Sequence, residues 1–244
     1  MRNVKLVIEY DGTGYAGWQI QPNEVSIQEA VRDAIAEITG ERNVRLIGSG
    51  RTDAGVHAAG QAANFKTDTN IPAGDLVHAI NTKLPPDIAI LDAADVPDDF
   101  HARYSAISKT YRYTILNRPV RGPLERNRSY LVRRPLDTDA MRAAAAYLIG
   151  ELDFAAFQSK PNGKPSIRTV TRLDVQASGS RIEITISANG FLYNMVRAIV
   201  GTLVEVGLGK RQPDSIPDLL RSKDRSAAGP TAPPHGLRLL EVEY

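Results

Sequence analysis

The sequence has no cysteine and only four histidines, and it has no run of about 18 apolar residues that would cross a membrane as a helix. Without cysteine there is neither a disulfide nor a cysteine-ligated zinc or iron–sulfur site. No two histidines are spaced four apart, so we expect no metal site. Hydrophobic residues make up 42% of the chain, enough for a proper core. This composition favours a cytoplasmic protein without membrane segment, disulfide or metal.

Acidic and basic residues are unevenly distributed, although the net charge is only +2. Residues 1–105 carry 9 Lys and Arg against 15 Asp and Glu, whereas residues 106–244 carry 21 against 13. The first part is therefore net negative and the second net positive. We take this change as the boundary between two halves, 1–105 and 106–244. No flexible linker separates them, so we expect them to share a sheet or a tight interface.

Most of the positive charge lies in the segment 106–134, where eight Lys and Arg residues face a single acid, Glu125. A basic stretch attracts polyanions, because neutralising phosphates releases their counterions. Three tyrosines lie among these charges and are suited to stacking on unpaired bases. The alternative is a solvated charged face, and the sequence alone leaves the two about equally supported. The basic residues are Lys109, Arg112, Arg118, Arg121, Arg126, Arg128, Arg133 and Arg134.

The hydrophobic periodicity predicts strands that alternate with helices. Predicted strands are 4–10, 44–47, 61–66, 88–92, 106–117, 167–176, 181–188 and 237–242. Predicted helices are 27–40, capped by Ser26 and stopped by Gly40, then 73–82, 138–149 and 191–206. The hairpin at Ser178-Gly179 indicates an α/β fold with a mixed or antiparallel sheet rather than a doubly wound parallel one.

Gly12–Gly17 matches the pattern G-x-G-x-x-G after a strand, which is typical of dinucleotide-binding sites. In such a site a helix begins within the glycines and faces the pyrophosphate. Here Pro22 would fall inside that helix, and the capping residue Ser26 comes only later. We therefore expect a loop and no nucleotide cofactor.

The segment 48–57, with the sequence GSGRTDAGVH, is the most unusual in the chain. Its glycines permit tight turns and close approach of a ligand, and between them lie Arg51, a threonine and Asp53. A phosphate-binding loop would need Gly-Lys-Ser/Thr after its last glycine, which is absent. A structural turn capped by Asp53 and a catalytic loop are equally consistent with the local chemistry.

The segment 189–197, with the sequence NGFLYNMVR, opens the last predicted helix. We expect Tyr193 and Arg197 to lie four residues apart on one helical face. An arginine on a mostly apolar helix is costly to bury without a carboxylate partner. Asp53 is a candidate for that partner.

Three motifs together resemble the tRNA pseudouridine synthase family that modifies uridines 38 to 40 of the anticodon arm. They are GRTDAGVHA at 50–58, KTYRY at 109–113 and NGFLYNMVR at 189–197. Supporting stretches are EYDGTGYAGWQ at 9–19, DDFHARYSA at 98–106 and ELDFAAFQ at 151–158. The likeness extends over almost the whole chain. The segments 160–166 and 223–236 match no family pattern, so their RNA contacts are left open.

The resemblance implies a mixed sheet spanning two similar α/β halves, with the active cleft between them. It implies a homodimer that grips tRNA without metal or organic cofactor. By its motifs, Asp53 is the essential aspartate, Tyr111 the active-site tyrosine, Arg51 the loop arginine and Arg197 the arginine paired with Asp53. We further expect the basic stretch, including Arg126 and Arg128, to contact tRNA.

The residues suit the chemistry of pseudouridine formation but leave one choice open. An ionised Asp53 can attack ribose C1′, as in retaining glycoside hydrolysis, or it can remove a ribose proton. Two other classes also stay open: a non-catalytic RNA-binding module and a nucleotide-dependent enzyme using Gly12–Gly17. The first offers no reason for Asp53 in a glycine-rich loop.

Overall fold

The computed structural model describes residues 1–161, 163 and 165–244. The chain divides into two compact units, one formed by Met1–Ile107 with Arg238–Tyr244 and the other by Ser108–Leu237. Two residues of the uninterpreted segment 160–166, Asn162 and Lys164, lie outside the described residues.

The helices and strands of the two units are as follows. The strands are β1 (Arg2–Tyr10), β2 (Ile47–Gly48), β3 (His57–Thr67), β4 (Ile88–Val96), β5 (Ser108–Asn117), β6 (Tyr130–Val132), β7 (Gly150–Asp153), β8 (Ile167–Ser178), β9 (Arg181–Ala188) and β10 (Leu237–Glu243). The helices are α1 (Ile27–Thr39), α2 (Ala73–Asn81), α3 (Thr138–Ala146), α4 (Met195–Gly207) and α5 (Ile216–Ser222).

In the first unit the strands lie in the order β4-β1-β3-β10. Strand β1 is antiparallel to both neighbours, β10 is parallel to β3, and β2 adds a short antiparallel pairing to β3. Every second residue of β1, namely Val4, Leu6 and Ile8, is fully buried, as a strand with one face on the core requires. The sheet therefore fixes the end of β2 and the start of β3, between which the 48–57 segment runs.

Helix α1 has the ends that its sequence predicts. The Ser26 hydroxyl accepts the backbone N–H of Glu29 at 3.3 Å, and Gly40 ends the helix in the left-handed conformation with φ 74°. Its buried residues Ile27, Val31 and Ile35 recur at helical spacing. The predicted helix is confirmed at both ends.

In the second unit the strands lie in the order β5-β9-β8-β7, all antiparallel, and β6 pairs in parallel with β5. Strands β8 and β9 form the predicted hairpin, with Ser178 paired to Arg181 and Gly179 at φ 57°. Helix α3 packs on α4 and on β8. The α/β class with a mixed, mostly antiparallel arrangement is thus confirmed.

The division of the chain differs from the predicted halves in the placement of β10. This strand pairs with β3, so residues 238–244 belong to the first unit, and the second unit is Ser108–Leu237. Net charge reports composition, whereas strand pairing depends on partners far away in sequence, so the charge change could not reveal it.

Several predicted boundaries were wrong. The helix predicted from Phe191 begins at Met195, because Asn194 has φ 62° and a left-handed residue cannot continue a right-handed helix. Tyr193 therefore does not share a helical face with Arg197. Of the strand predicted at 44–47, only Ile47 is in β2, and the helix predicted to 149 ends at Ala146. Strands β6 and β7 and helix α5 were not predicted.

Within residues 1–161, 163 and 165–244, no helix has the length and apolar character needed to cross a membrane.

Candidate active site

The 48–57 loop runs from the end of β2 to the start of β3, and its first part is anchored by Gln61. This fully buried side chain donates from Nε2 to the Gly50 carbonyl at 3.1 Å, and its Oε1 accepts the Ser49 hydroxyl at 2.6 Å. The Ser49 backbone N–H donates to the Ala62 carbonyl at 2.7 Å. The loop therefore leaves the sheet in a fixed direction.

Thr52, the residue before Asp53, is attached to the core by Tyr10 and Trp18. The Tyr10 hydroxyl lies 2.8 Å from Thr52 Oγ1, and the Trp18 backbone N–H donates to the Thr52 carbonyl at 3.1 Å. Both aromatic side chains are only 2% exposed. Burial raises the pKa of the Tyr10 hydroxyl above its usual range, so it is a neutral hydrogen-bonding group.

The end of the loop is closed against the 3₁₀ turn Gly12–Gly14 that follows β1. The Gly12 backbone N–H donates to His57 Nδ1 at 3.0 Å, and the same nitrogen lies 3.1 Å from Asp11 Oδ1. A Cβ atom at position 12 would overlap the Val56 carbonyl oxygen. Only glycine permits this close approach of two backbone segments.

Arg51 and Asp53 lie on this fixed backbone, Arg51 exposed and Asp53 half-buried. The Asp53 carbonyl accepts the Val56 N–H at 3.1 Å, and the Gly55 N–H donates to the Tyr15 carbonyl at 3.3 Å. The loop thus presents a carboxylate and a guanidinium from a backbone held on both sides. A reacting group that must keep its position relative to a substrate requires such support.

The glycine motif at residues 12–17 does not have the structure of a dinucleotide site. A 3₁₀ turn covers Gly12–Gly14, and α1 begins only at Ile27. No helix N-terminus therefore lies within the glycines, as the sequence predicted. Among the described residues, no three His, Asp or Glu side chains are grouped so as to hold a metal ion.

In the second unit, Tyr111 lies near the start of β5 and is 8% exposed. The rings of Tyr111 and Phe191 pack in a T-shaped arrangement, with the ring centroids 5.1 Å apart and the planes at 88°. Such an edge-to-face contact fixes the orientation of an aromatic ring. The next tyrosine on this face, Tyr113, is fully buried and donates to the Pro233 carbonyl at 2.8 Å, which makes it part of the core.

Arg197 lies in the first turn of α4 and is half-buried. Its Nε donates to the Ala232 carbonyl at 2.7 Å, and its Nη1 donates to Asn194 Oδ1 at 3.0 Å. Two of the hydrogen bonds that position the guanidinium therefore come from its own unit. Its pairing with Asp53 stays a prediction.

The basic stretch begins in β5 and continues into the surface loop at 118–128. Arg126 and Arg128 are both exposed, and Arg126 Nη1 donates to the Pro123 carbonyl at 3.1 Å. Leu124, at the tip, is 94% exposed. The arrangement favours an extended electrostatic surface rather than a closed pocket.

Several supporting residues were not predicted from the sequence. Gln61 and Tyr10 fix the 48–57 loop, but both lie outside it, Gln61 in β3 and Tyr10 at the end of β1. The sequence indicates Asn194 only as part of the motif at 189–197. A polar residue directly before a helix is a signal of its own, typical of a capping position.

Known proteins resemble this chain over most or all of its length. A family model described as tRNA pseudouridine synthase matches residues 6–105 and 144–244. The chain is 54% identical to tRNA pseudouridine synthase A of Thermoanaerobacter sp. (strain X514) over 245 residues, covering 100% of both sequences. It is 51% identical to tRNA pseudouridine synthase A 2 of Clostridium perfringens (strain 13 / Type A) over 246 residues, again covering 100% of both.

Among solved structures, the likeness is weaker. A chain in the crystal structure of the archaeal box H/ACA sRNP Nop10-Cbf5 complex superposes with a TM-score of 0.39 at 14% identity, over 83% of this chain and 43% of that one. This value is too low to support an inference. The family match over most of the chain and the full-length relatives at about half identity suffice: the chain belongs to the tRNA pseudouridine synthase family.

Proposed function

We propose that this protein is an isomerase that converts uridine to pseudouridine at positions 38, 39 and 40 of the tRNA anticodon stem-loop. The observation that carries the proposal is the 48–57 loop, where a half-buried carboxylate stands on a backbone fixed from both sides. Membership of the family supports the same reaction. The role proposed for each site residue follows from this conversion of uridine to pseudouridine.

The reaction breaks the bond from ribose C1′ to uracil N1, turns the base and joins C1′ to C5. The C5 proton leaves and N1 regains one, so the product has the atoms of the substrate and no electron is gained or lost. The proposal accordingly requires neither a redox cofactor nor a metal. Asp53 acts on the ribose, by attack at C1′ or by removal of a ribose proton.

In this proposal the Arg197 guanidinium is the counter-ion of the Asp53 carboxylate and holds it in place. Tyr111, with its ring held by Phe191, stacks on the uracil and helps to remove the C5 proton. A base within a stem must first leave the stack. Arg51, exposed on the loop, holds the flipped nucleotide or fills the space that it vacates.

The tRNA is gripped through its phosphates by the basic stretch, with Arg126 and Arg128 among the contacts. Both are exposed and lie in a segment with eight Lys and Arg against one acid. We further propose that the protein acts in the cytoplasm as a homodimer, with one tRNA held across both subunits.

The proposal is tested by incubating the protein with unmodified tRNA transcripts and mapping pseudouridine chemically. Wild type should modify uridines 38 to 40 and retain this activity in EDTA. Asp53→Asn keeps the shape of the side chain but removes its charge, so turnover should fall below detection while tRNA binding persists. The matched control is Asp92→Asn, an exposed carboxylate on β4, which should behave as wild type.

The same experiment separates the alternatives. If Asp53 only supports a turn, the asparagine variant will keep near wild-type activity, and the catalytic assignment is wrong. If wild type binds tRNA but forms no pseudouridine, the protein is an RNA-binding module. A primary isotope effect with ribose-deuterated tRNA would indicate proton removal, and its absence would indicate attack at C1′.

A further inference from the structure

The residue that leads into helix α4 has an unusual backbone conformation. Asn194 lies in the left-handed region, with φ 62° and ψ 7°, and it occupies the N-cap position of the helix. Asparagine tolerates this region better than most residues, but it is still disfavoured there relative to glycine. A residue held in such a conformation points to a local constraint that compensates it.

The Asn194 side chain does not perform the usual task of its position. An N-cap asparagine ordinarily accepts a backbone N–H from the first turn of its helix. Here no such bond is made, and Oδ1 instead accepts from Arg197 Nη1 at 3.0 Å. A group that would stabilise the helix is thus directed to the arginine.

The second acceptor for this arginine comes from the proline-rich segment. Arg197 Nε donates to the Ala232 carbonyl at 2.7 Å, and the Ala232 N–H donates back to the Arg197 carbonyl at 3.0 Å. This segment lies directly on α4, because a Cβ at Gly201 would overlap the Pro230 carbonyl oxygen. The close packing of this segment on α4 therefore fixes the Ala232 carbonyl that accepts from Arg197 Nε.

Two acceptors from different segments define the plane of a guanidinium, which has five N–H groups in a rigid fork. The Ala232 carbonyl restrains Nε, and Asn194 Oδ1 restrains Nη1. Loss of the Asn194 oxygen would therefore release one edge of the guanidinium.

We propose that Asn194 is a positioning residue for the reaction, and that its left-handed conformation serves to aim Oδ1 at the Arg197 guanidinium. The proposal rests on the function proposed above, in which Arg197 supports Asp53. It also assigns a role to the segment 229–232, which the sequence left without interpretation.

The decisive variant is Asn194→Gly, because glycine adopts the left-handed conformation without strain and lacks only the acceptor. Thermal stability should be equal to or above that of wild type. The kcat for pseudouridine formation should fall about ten- to a hundredfold, since small misplacements of catalytic groups carry penalties of that size. The KM for tRNA should be unchanged.

Two further variants separate the acceptor from the backbone. Asn194→Ala should lose the same activity as Asn194→Gly but should also melt at a lower temperature. The matched control is Asn189→Gly in the same motif, whose Oδ1 accepts the Thr169 N–H at 3.0 Å and which should retain the wild-type kcat. Full activity in Asn194→Gly would overturn the proposal.

A readout without turnover distinguishes failure of this proposal from failure of the proposed function. Hydrogen exchange of the Arg197 Nε–H, followed by nitrogen-15 NMR, reports whether the guanidinium is held. Exchange should be several-fold faster in Asn194→Gly and should return towards the wild-type rate in Asn194→Asp, which keeps an acceptor oxygen. Equal exchange in wild type and Asn194→Gly would refute positioning, whether or not the protein forms pseudouridine.

Discussion

The 48–57 loop and the basic loop at 118–128 are held by different kinds of partner. In the first, backbone atoms form hydrogen bonds to β3 and to the segment after β1. The buried side chains of Tyr10 and Gln61 also form hydrogen bonds to this loop. In the second, arginines donate to carbonyls nearby in their own loop, as Arg118 does to Val120 at 2.9 Å, and Leu124 extends into solvent.

The difference follows from what each loop has to do. A carboxylate that acts at one carbon atom needs a fixed position, because its contribution depends steeply on distance and angle. Phosphate contacts act at longer range, and the binding energy is shared among many charges. No single arginine therefore needs a precise position. Rigid support is therefore expected at Asp53 and is less needed at Arg126.

The largest effect should come from disturbing the rigid loop without touching Asp53. A Cβ in Gly12→Ala would overlap the Val56 carbonyl oxygen, so the loop must shift. We expect turnover to fall about a hundredfold and the free energy of unfolding to fall by about 1–3 kcal/mol. Single-turnover assays and urea unfolding measure the two effects.

The control lies two residues away in the same 3₁₀ turn. A Cβ at Gly14 would have no atom within 4 Å, so Gly14→Ala should leave both quantities unchanged. If Gly12→Ala were as active as Gly14→Ala, the close approach would not matter for the position of Asp53.

The next effect concerns Tyr111. If its ring only stacks on uracil, Tyr111→Phe should keep substantial activity and Tyr111→Ala should lose most of it. If its hydroxyl takes part in proton removal, phenylalanine should fail as badly as alanine. Single-turnover rates at saturating enzyme distinguish the two roles.

Tyr113 on the same strand face is the matched control. Tyr113→Phe removes the hydrogen bond to Pro233 and should cost about 0.5–1.5 kcal/mol of unfolding free energy with little loss of activity. Wild-type rates for both Tyr111 variants would remove that residue from the site.

A smaller effect is expected at the basic loop. Neutralising Arg126 and Arg128 together to glutamine should weaken tRNA binding and reduce the slope of log affinity against log salt by about 1–2. The rate with tRNA bound should persist. Arg42→Gln with Arg45→Gln changes the same charge on the first unit, where both arginines are exposed, and should leave more of the slope intact. Equal slopes for both pairs would place the RNA path elsewhere.

The smallest effect lies away from both loops, at Asp153 in β7. A hydrogen bond from Lys223, then one from Ser166, holds the pKa of this carboxyl below its usual value. A lowered pKa in the folded state stabilises the protein above the unfolded value of about 3.9, and this stabilisation is lost as the pH falls through the folded pKa.

Asp153→Asn should therefore be slightly less stable than wild type at pH 7, by about 0.5 kcal/mol since Lys223 is largely exposed. In urea unfolding, the difference should shrink as the pH falls below the unfolded value of about 3.9 and through the lowered folded pKa. Lys223→Met should show the same loss at pH 7. A difference that persists unchanged in acid would mean that the interaction is not ionic.

Much of the fold could be predicted from local patterns. Ser26 and Gly40 mark the ends of α1, and the alternation in β1 and the turn at Gly179 give strands and a hairpin, because these signals act over a few residues. Helix α4 was predicted to start too early, since the apolar spacing of Phe191 and Met195 suits a helix and does not report a left-handed residue between them.

The sequence by itself determined the family, the α/β class and the identity of the candidate site residues, because these depend on motifs and periodicity that are local. Only the tertiary structure decided that β10 pairs with β3, that Gly12 lies against Val56, and that Asn194 Oδ1 accepts from the Arg197 side chain rather than from a backbone N–H of α4. Each of these contacts depends on packing in three dimensions. Strand β10 and Gly12 contact residues that are distant in sequence. The side chain of Asn194 has two kinds of donor nearby, a backbone N–H and the Arg197 guanidinium, and it accepts from the guanidinium. No local pattern of residue types specifies such a choice.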